Sequence, residues 1–162
     1  MTLYEYAFRV WFDTEVPLAS DWVSLQLQGN LELELEFLEV FDAISEGEAQ
    51  SILVSIAKRH EDFAPYSVSS IEVASQIVLE HCKALIMDEI TPFEFCHFIG
   101  RMDAYQLEFN DPRRREGEFV GVEMGDLYEC CDWCDKTWTK KNATHLYDEA
   151  SRMFTKDFLV SD

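Results

Sequence analysis

Residues 22–44, WVSLQLQGNLELELEFLEVFDAI, decide how the fold is read. Apolar and polar side chains alternate in WVSLQLQ and again in LELELEF, the period of strands with one buried face. If Leu27 stands opposite Leu31, then Leu25 opposes Leu33 and Val23 opposes Leu35, so a Gln28-Gly29-Asn30 loop keeps every apolar residue on one side. A two-residue turn would set Leu27 against Glu32 and spoil both faces, which makes the hairpin register-specific. A helical reading competes. Leu33, Phe37, Val40, Phe41 and Ile44 also recur at helical spacing, with Gly29 ending one helix and Asn30 capping the next. In either form the segment projects Glu32, Glu34, Glu36 and Glu39.

Outward from this segment, residues 3–12 place Tyr4, Tyr6, Phe8, Val10 and Phe12 on one side of a strand. Helices follow, with marked starts. Ser45 with Glu48 forms a capping box, in which the hydroxyl accepts from the Glu48 amide while the carboxylate reaches back. Ala49, Ile52, Leu53, Ile56 and His60 then trace one face. Ser69 with Glu72 repeats the device, and Thr91-Pro92-Phe93-Glu94 adds a proline at the first helical position. Asn110-Asp111-Pro112 stops that helix before an Arg113-Arg114-Arg115 loop, and Phe119 to Met124 alternates as a short strand. Asp126 caps a further helix with Leu127, Cys130, Cys131, Cys134 and Trp138 inward, and Leu146, Ala150, Met153 and Phe154 mark a last one. The architecture expected is α+β, an N-terminal antiparallel β meander packed against about five α-helices in a single domain over residues 1–162, with all-α as the alternative.

The 162 residues are 48% hydrophobic and 14% aromatic, ample for a buried core, yet the formal charge is −19. No Lys or Arg occurs between Arg9 and Lys58, where ten acids lie: Asp13, Glu15, Asp21, Glu32, Glu34, Glu36, Glu39, Asp42, Glu46 and Glu48. Direct nucleic-acid binding is disfavoured, because phosphate recognition needs clustered cations. A basic protein is the natural complement. The opening MTLYEYAFRVWF lacks a signal-peptide pattern, and no run approaches the ~18 apolar residues of a membrane span, so a soluble, cytoplasmic protein is expected.

Five cysteines, Cys82, Cys96, Cys130, Cys131 and Cys134, lack the spacing of a disulfide framework. Cys131-Asp132-Trp133-Cys134 has the C-x-x-C spacing of zinc and dithiol sites, but no second ligand pair accompanies it. Asp126, Glu129, Asp132 and Asp135 would also oppose a thiolate there. Core packing is the simpler reading, with a metal-binding or redox module on Cys131 and Cys134 as an alternative. His60 and His81 lie on otherwise apolar helical faces. No nucleophile elbow, phosphate loop or zinc-protease motif occurs, so no enzyme activity and no cofactor or metal are expected. What stands out is Tyr128, Trp133 and Trp138 interleaved with Asp126, Glu129, Asp132 and Asp135, the mixture that anchors protein interfaces.

ITPFEFCHFIGRMD (residues 90–103) and MGDLYECCDW (residues 124–133) resemble stretches of small bacterial immunity proteins, including those of contact-dependent growth inhibition systems. The resemblance is to a type: small, strongly acidic, cytoplasmic, without catalytic apparatus. It implies binding and neutralisation of a cognate basic toxin domain, often a nuclease. Two partner-binding surfaces are expected, one built on Glu32, Glu34, Glu36 and Glu39, the other on Asp126, Glu129, Asp132, Trp133 and Asp135. An acidic DNA-mimic inhibitor is a further alternative.

Overall fold

A computed structural model describes residues 1–27, 34–104 and 124–160. Among them are eight α-helices, one 3₁₀ helix and no strand. The chain divides into two compact units, Met1–Ser70 and Ile71–Asp162. The expected α+β architecture is therefore corrected to all-α. The Gln28-Gly29-Asn30 loop, the Arg113-Arg114-Arg115 loop and most of the expected 119–124 strand lie outside the described residues.

The first expected strand is α1, Leu3–Trp11. Its alternation is outweighed by a helix-start signal one step earlier. Thr2 Oγ1 accepts the Glu5 amide at 3.1 Å, and Glu5 pairs with Arg9 one turn on at 3.1 Å. Leu3, Tyr6 and Ala7 then bury at spacings of three and four. The second expected strand is α2, Ala19–Leu27, which buries Ala19, Trp22 and Val23 at the same spacing. Its preceding residue, Leu18, has no side-chain acceptor. Instead Glu46, 27 positions away, takes the Ala19 amide at 2.8 Å. A short α3, Glu34–Leu38, passes into the 3₁₀ helix Glu39–Asp42.

The centre of the first unit is α4, Glu46–His60. Ser45 caps it as expected, and the Glu48 carboxylate reaches back one residue further, to the Ile44 amide at 2.7 Å. Leu53, Ile56 and Ala57 are fully buried, and α4 packs against α1, α2 and the 3₁₀ helix. His60, expected on that apolar face, is exposed. Tyr4 hydroxyl contacts Ser67 Oγ at 2.5 Å and Ser70 Oγ at 2.8 Å, and buried Ser70 donates to the Ala64 carbonyl at 2.6 Å. The cap of α5, Val68–Ile86, is Ser67, which accepts the Ser70 amide, two residues before the Ser69 expected.

In the second unit α6, Pro92–Ala104, opens on the full Thr91–Glu94 box, each partner accepting the other's backbone amide. Phe95, Phe98, Ile99 and Met102 bury along it. Helices α7, Met124–Cys130, and α8, Thr144–Val160, complete the unit, with Leu127, Leu146, Ala150 and Met153 inward. His81 stacks on Phe98 with ring centroids 3.6 Å apart. Helices α1 and α5 end on left-handed aspartates, Asp13 and Asp88, whose following amides close back on Arg9 and Ala84 carbonyls. Among the described residues no buried side-chain nitrogen or oxygen lacks a hydrogen-bond partner, and no helix is long and apolar enough to cross a membrane.

Truncating the centre of α4 should cost far more than removing a cap. Leu53→Ala is expected to lose about 2–5 kcal/mol, and Thr91→Ala about 1 kcal/mol, both read as shifts of the urea midpoint. Equal losses would contradict this account of the core.

Candidate functional site

The two expected acidic surfaces fall one in each unit. In the first, Glu32 lies outside the described residues and Glu34 is described only as the first residue of α3. Glu36 is not a free carboxylate. Arg59 Nη2 lies 2.5 Å from its Oε2 and His60 Nε2 lies 2.9 Å from its Oε1, both side chains arriving from the last turn of α4. Hydrogen bonds from Arg59, and after it from His60, hold the Glu36 carboxyl below its ordinary 4.5. Glu39 and Asp42 are exposed and make no ion pair with a described residue.

The second surface is partly a helix and partly a turn. Helix α7 ends at Cys130, so the C-x-x-C residues lie beyond it rather than on its buried side. Cys131 and Cys134 close a turn through a 3.1 Å backbone bond, with Trp133 at φ 65°. Trp133 is 93% exposed, the second most exposed large apolar residue described. Bulky residues rarely adopt that φ, and such strain concentrates where a side chain is held out for use. Around it Tyr128, Glu129 and Asp132 are exposed. Asp126 pairs with Arg152 at 2.8 Å, and Arg152 also holds Glu149. Asp135 accepts from the Thr137 hydroxyl and amide, which keep its carboxyl below the ordinary range. Of the acids anticipated here, Glu129 and Asp132 remain available to a partner.

The turn is seated from beneath by sulfur. Cys134 Sγ lies 3.6 Å from the Pro92 carbonyl, and the Cys96 thiol is its electrostatic neighbour. This contact across 42 residues of chain carried no sequence signal. Burial, then the Cys96 contact, pushes Cys134 up to about 12, and burial pushes Cys82 up to about 12. These thiols stay protonated near neutrality, which fits packing better than thiolate chemistry. Among the described residues no group of three or more His, Cys, Asp or Glu side chains is placed to hold a metal ion.

The sequence reading also missed an apolar feature. Leu35, Leu38, Phe41 and Ile44 are exposed, although the hairpin reading turned Leu35 inward and the helical reading turned Phe41 and Ile44 inward. Compared with protein-family models, with curated proteins and with solved structures, the chain matches none.

The depressed Glu36 carboxyl makes a pH prediction. Because its folded value lies below 4.5, the stabilisation from the Arg59–Glu36–His60 cluster is present above that pH and is lost as the pH falls through the folded value. Glu36→Gln should flatten the acid limb of urea midpoint against pH, by a small and salt-sensitive amount because the cluster is solvated. Superimposable acid limbs would show that the cluster contributes nothing.

Proposed function

We propose that this chain is an immunity-type protein that binds and neutralises a cognate basic toxin domain, acting in the cytoplasm by occupation rather than turnover. The observation that carries the reading is Trp133, held almost fully in solvent at a left-handed φ between exposed Glu129 and Asp132. An exposed tryptophan supplies a large apolar contact at small entropic cost, and tryptophans dominate the energetics of protein interfaces. Neighbouring carboxylates supply acceptors for Arg and Lys of a partner and steer its approach. The net charge of −19 extends that steering over the whole molecule.

The test is genetic and then biophysical. The reading frame immediately upstream is expected to encode a basic domain that arrests growth unless this chain is co-expressed. Trp133→Ala should weaken the purified complex by about 2 kcal/mol or more in titration calorimetry. The pair Glu129→Gln with Asp132→Asn should slow association and reduce its dependence on salt. A non-toxic upstream product, or rescue and affinity indifferent to Trp133→Ala, would defeat the proposal.

A further inference from the structure

Residues 36–44 carry a three-residue repeat: Glu36-Phe37-Leu38, Glu39-Val40-Phe41, Asp42-Ala43-Ile44. Each triplet is an acid, an inward apolar residue and an outward apolar residue. Phe37 and Val40 are buried at 5% and 3%, and Ala43 is half-buried. Leu38, Phe41 and Ile44 are 49%, 47% and 94% exposed, and Leu35, one step earlier, is 82% exposed. A period of three suits the 3₁₀ helix at Glu39–Asp42, where residues three apart eclipse. In α3 residues three apart are also neighbours. The segment therefore shows solvent an apolar row, Leu35, Leu38 and Phe41, beside an acidic row, Glu36, Glu39 and Asp42, with exposed Ile44 just past the extended Ala43.

Three large apolar side chains in one row, with Ile44 exposed just beyond them, differ from the singly scattered exposed leucines that need no explanation. The row lies in a part of the chain holding ten acids and no Lys or Arg, and its exposed acids Glu39 and Asp42 make no ion pair with a described residue. We infer that this face docks an amphipathic helix whose apolar stripe is flanked by Lys or Arg, supplied by a protein partner. A second copy of the chain is the wrong occupant, since pairing two such faces brings like acidic rows together on molecules each carrying −19. An anionic lipid surface is disfavoured by the same charge. A helix laid in this way places its apolar positions at spacings of three and four against the row and its cations against the acids. The inference does not require the partner to be a toxin and lies in a different unit from Trp133.

The probe is a fluorescein-labelled amphipathic helical peptide of Leu and Lys, titrated with the full-length chain, beside a Leu and Glu counterpart of the same pattern. Binding is expected for the Lys peptide alone. The variant Leu35→Ser with Leu38→Ser alters the two most exposed members of the row, so it should keep its urea midpoint and helical circular dichroism. It should bind the Lys peptide at least about tenfold more weakly. Glu39→Gln with Asp42→Asn should weaken binding at low salt and lose that effect at high salt. Trp133→Ser should bind as the unaltered chain does. The inference is overturned if the unaltered chain ignores the Lys peptide, if the row variant binds it equally well, or if Trp133→Ser abolishes binding. Sedimentation showing dimers that the row variant loses would also overturn it, in favour of a second copy.

Discussion

Thirty-two acids against thirteen Lys and Arg impose the constraint on which this structure depends. Left in solvent, that many carboxylates repel one another and weaken a compact state. The fold answers by employing acids where helices need acceptors. Glu46 takes the first amide of α2, Glu48 and Glu94 complete capping boxes, and Asp135 closes its own turn on Thr137. Each is a charge-assisted hydrogen bond, stronger than its neutral equivalent. Asp13, Asp62 and Asp88 serve differently, taking the left-handed positions that follow α1, α4 and α5. A carboxylate there opposes the helix dipole. At α5 the opposition is relieved by Lys140, whose ammonium reaches both Asp88 and the Ile86 carbonyl. The acid surplus is thus a structural resource as well as a surface property.

This division of labour sharpens which acids can serve a partner. Glu36 is spoken for by Arg59 and His60, Asp126 by Arg152, and Asp135 by Thr137. Glu39, Asp42, Glu129 and Asp132 are exposed without such partners among the described residues. Each pair of exposed acids sits beside apolar groups that the fold leaves in water: Leu38 and Phe41 in one unit, Tyr128 and Trp133 in the other. Desolvating an ion pair costs about what the pair returns, so acids alone make a poor binding surface. Their juxtaposition with exposed apolar area changes that balance.

Much of the helical half was legible, because capping boxes are local and chemical. Ser45–Glu48 and Thr91–Glu94 form as their spacing required, and Leu146, Ala150 and Met153 bury as their periodicity required. The N-terminal half misled because alternation over residues 3–12 outweighed a shorter signal, the Thr2-x-x-Glu5 start with Arg9 four residues on. A helix of nine residues gives periodicity little room, and aromatic residues at every second position can fill its inner face and its flanks. Other features were beyond any local reading. The cap of α2 arrives from Glu46, the hydrogen-bond partners of Glu36 arrive from α4, and Cys134 Sγ meets the Pro92 carbonyl at the start of α6. The acidic residues of both candidate surfaces were visible in sequence, whereas their partners were not. The apolar row was hidden for a different reason: it crosses from α3 into a 3₁₀ helix, whose strict period of three neither the strand nor the α-helix pattern describes.

Charge and apolar exposure play separate parts in any complex of this molecule. A field from −19 charges accelerates encounter with a basic partner, but beyond about 8 Å it is screened at physiological salt. It therefore governs arrival more than residence, and most differences in affinity lie in dissociation. Residence depends on groups that lose water only when the partner is correctly seated. Trp133 is one such group, and its turn is held by the backbone hydrogen bond from the Cys134 amide to the Cys131 carbonyl and by Cys134 Sγ against the Pro92 carbonyl. The C-x-x-C spacing acts as a mount, setting a bulky ring at a left-handed backbone conformation that such residues rarely adopt. Because the turn is already formed, a partner gains the ring without the entropic cost of ordering it. A surface that was merely acidic would attract many basic proteins and hold none for long; in the binding role proposed above, discrimination would fall to the pre-set tryptophan.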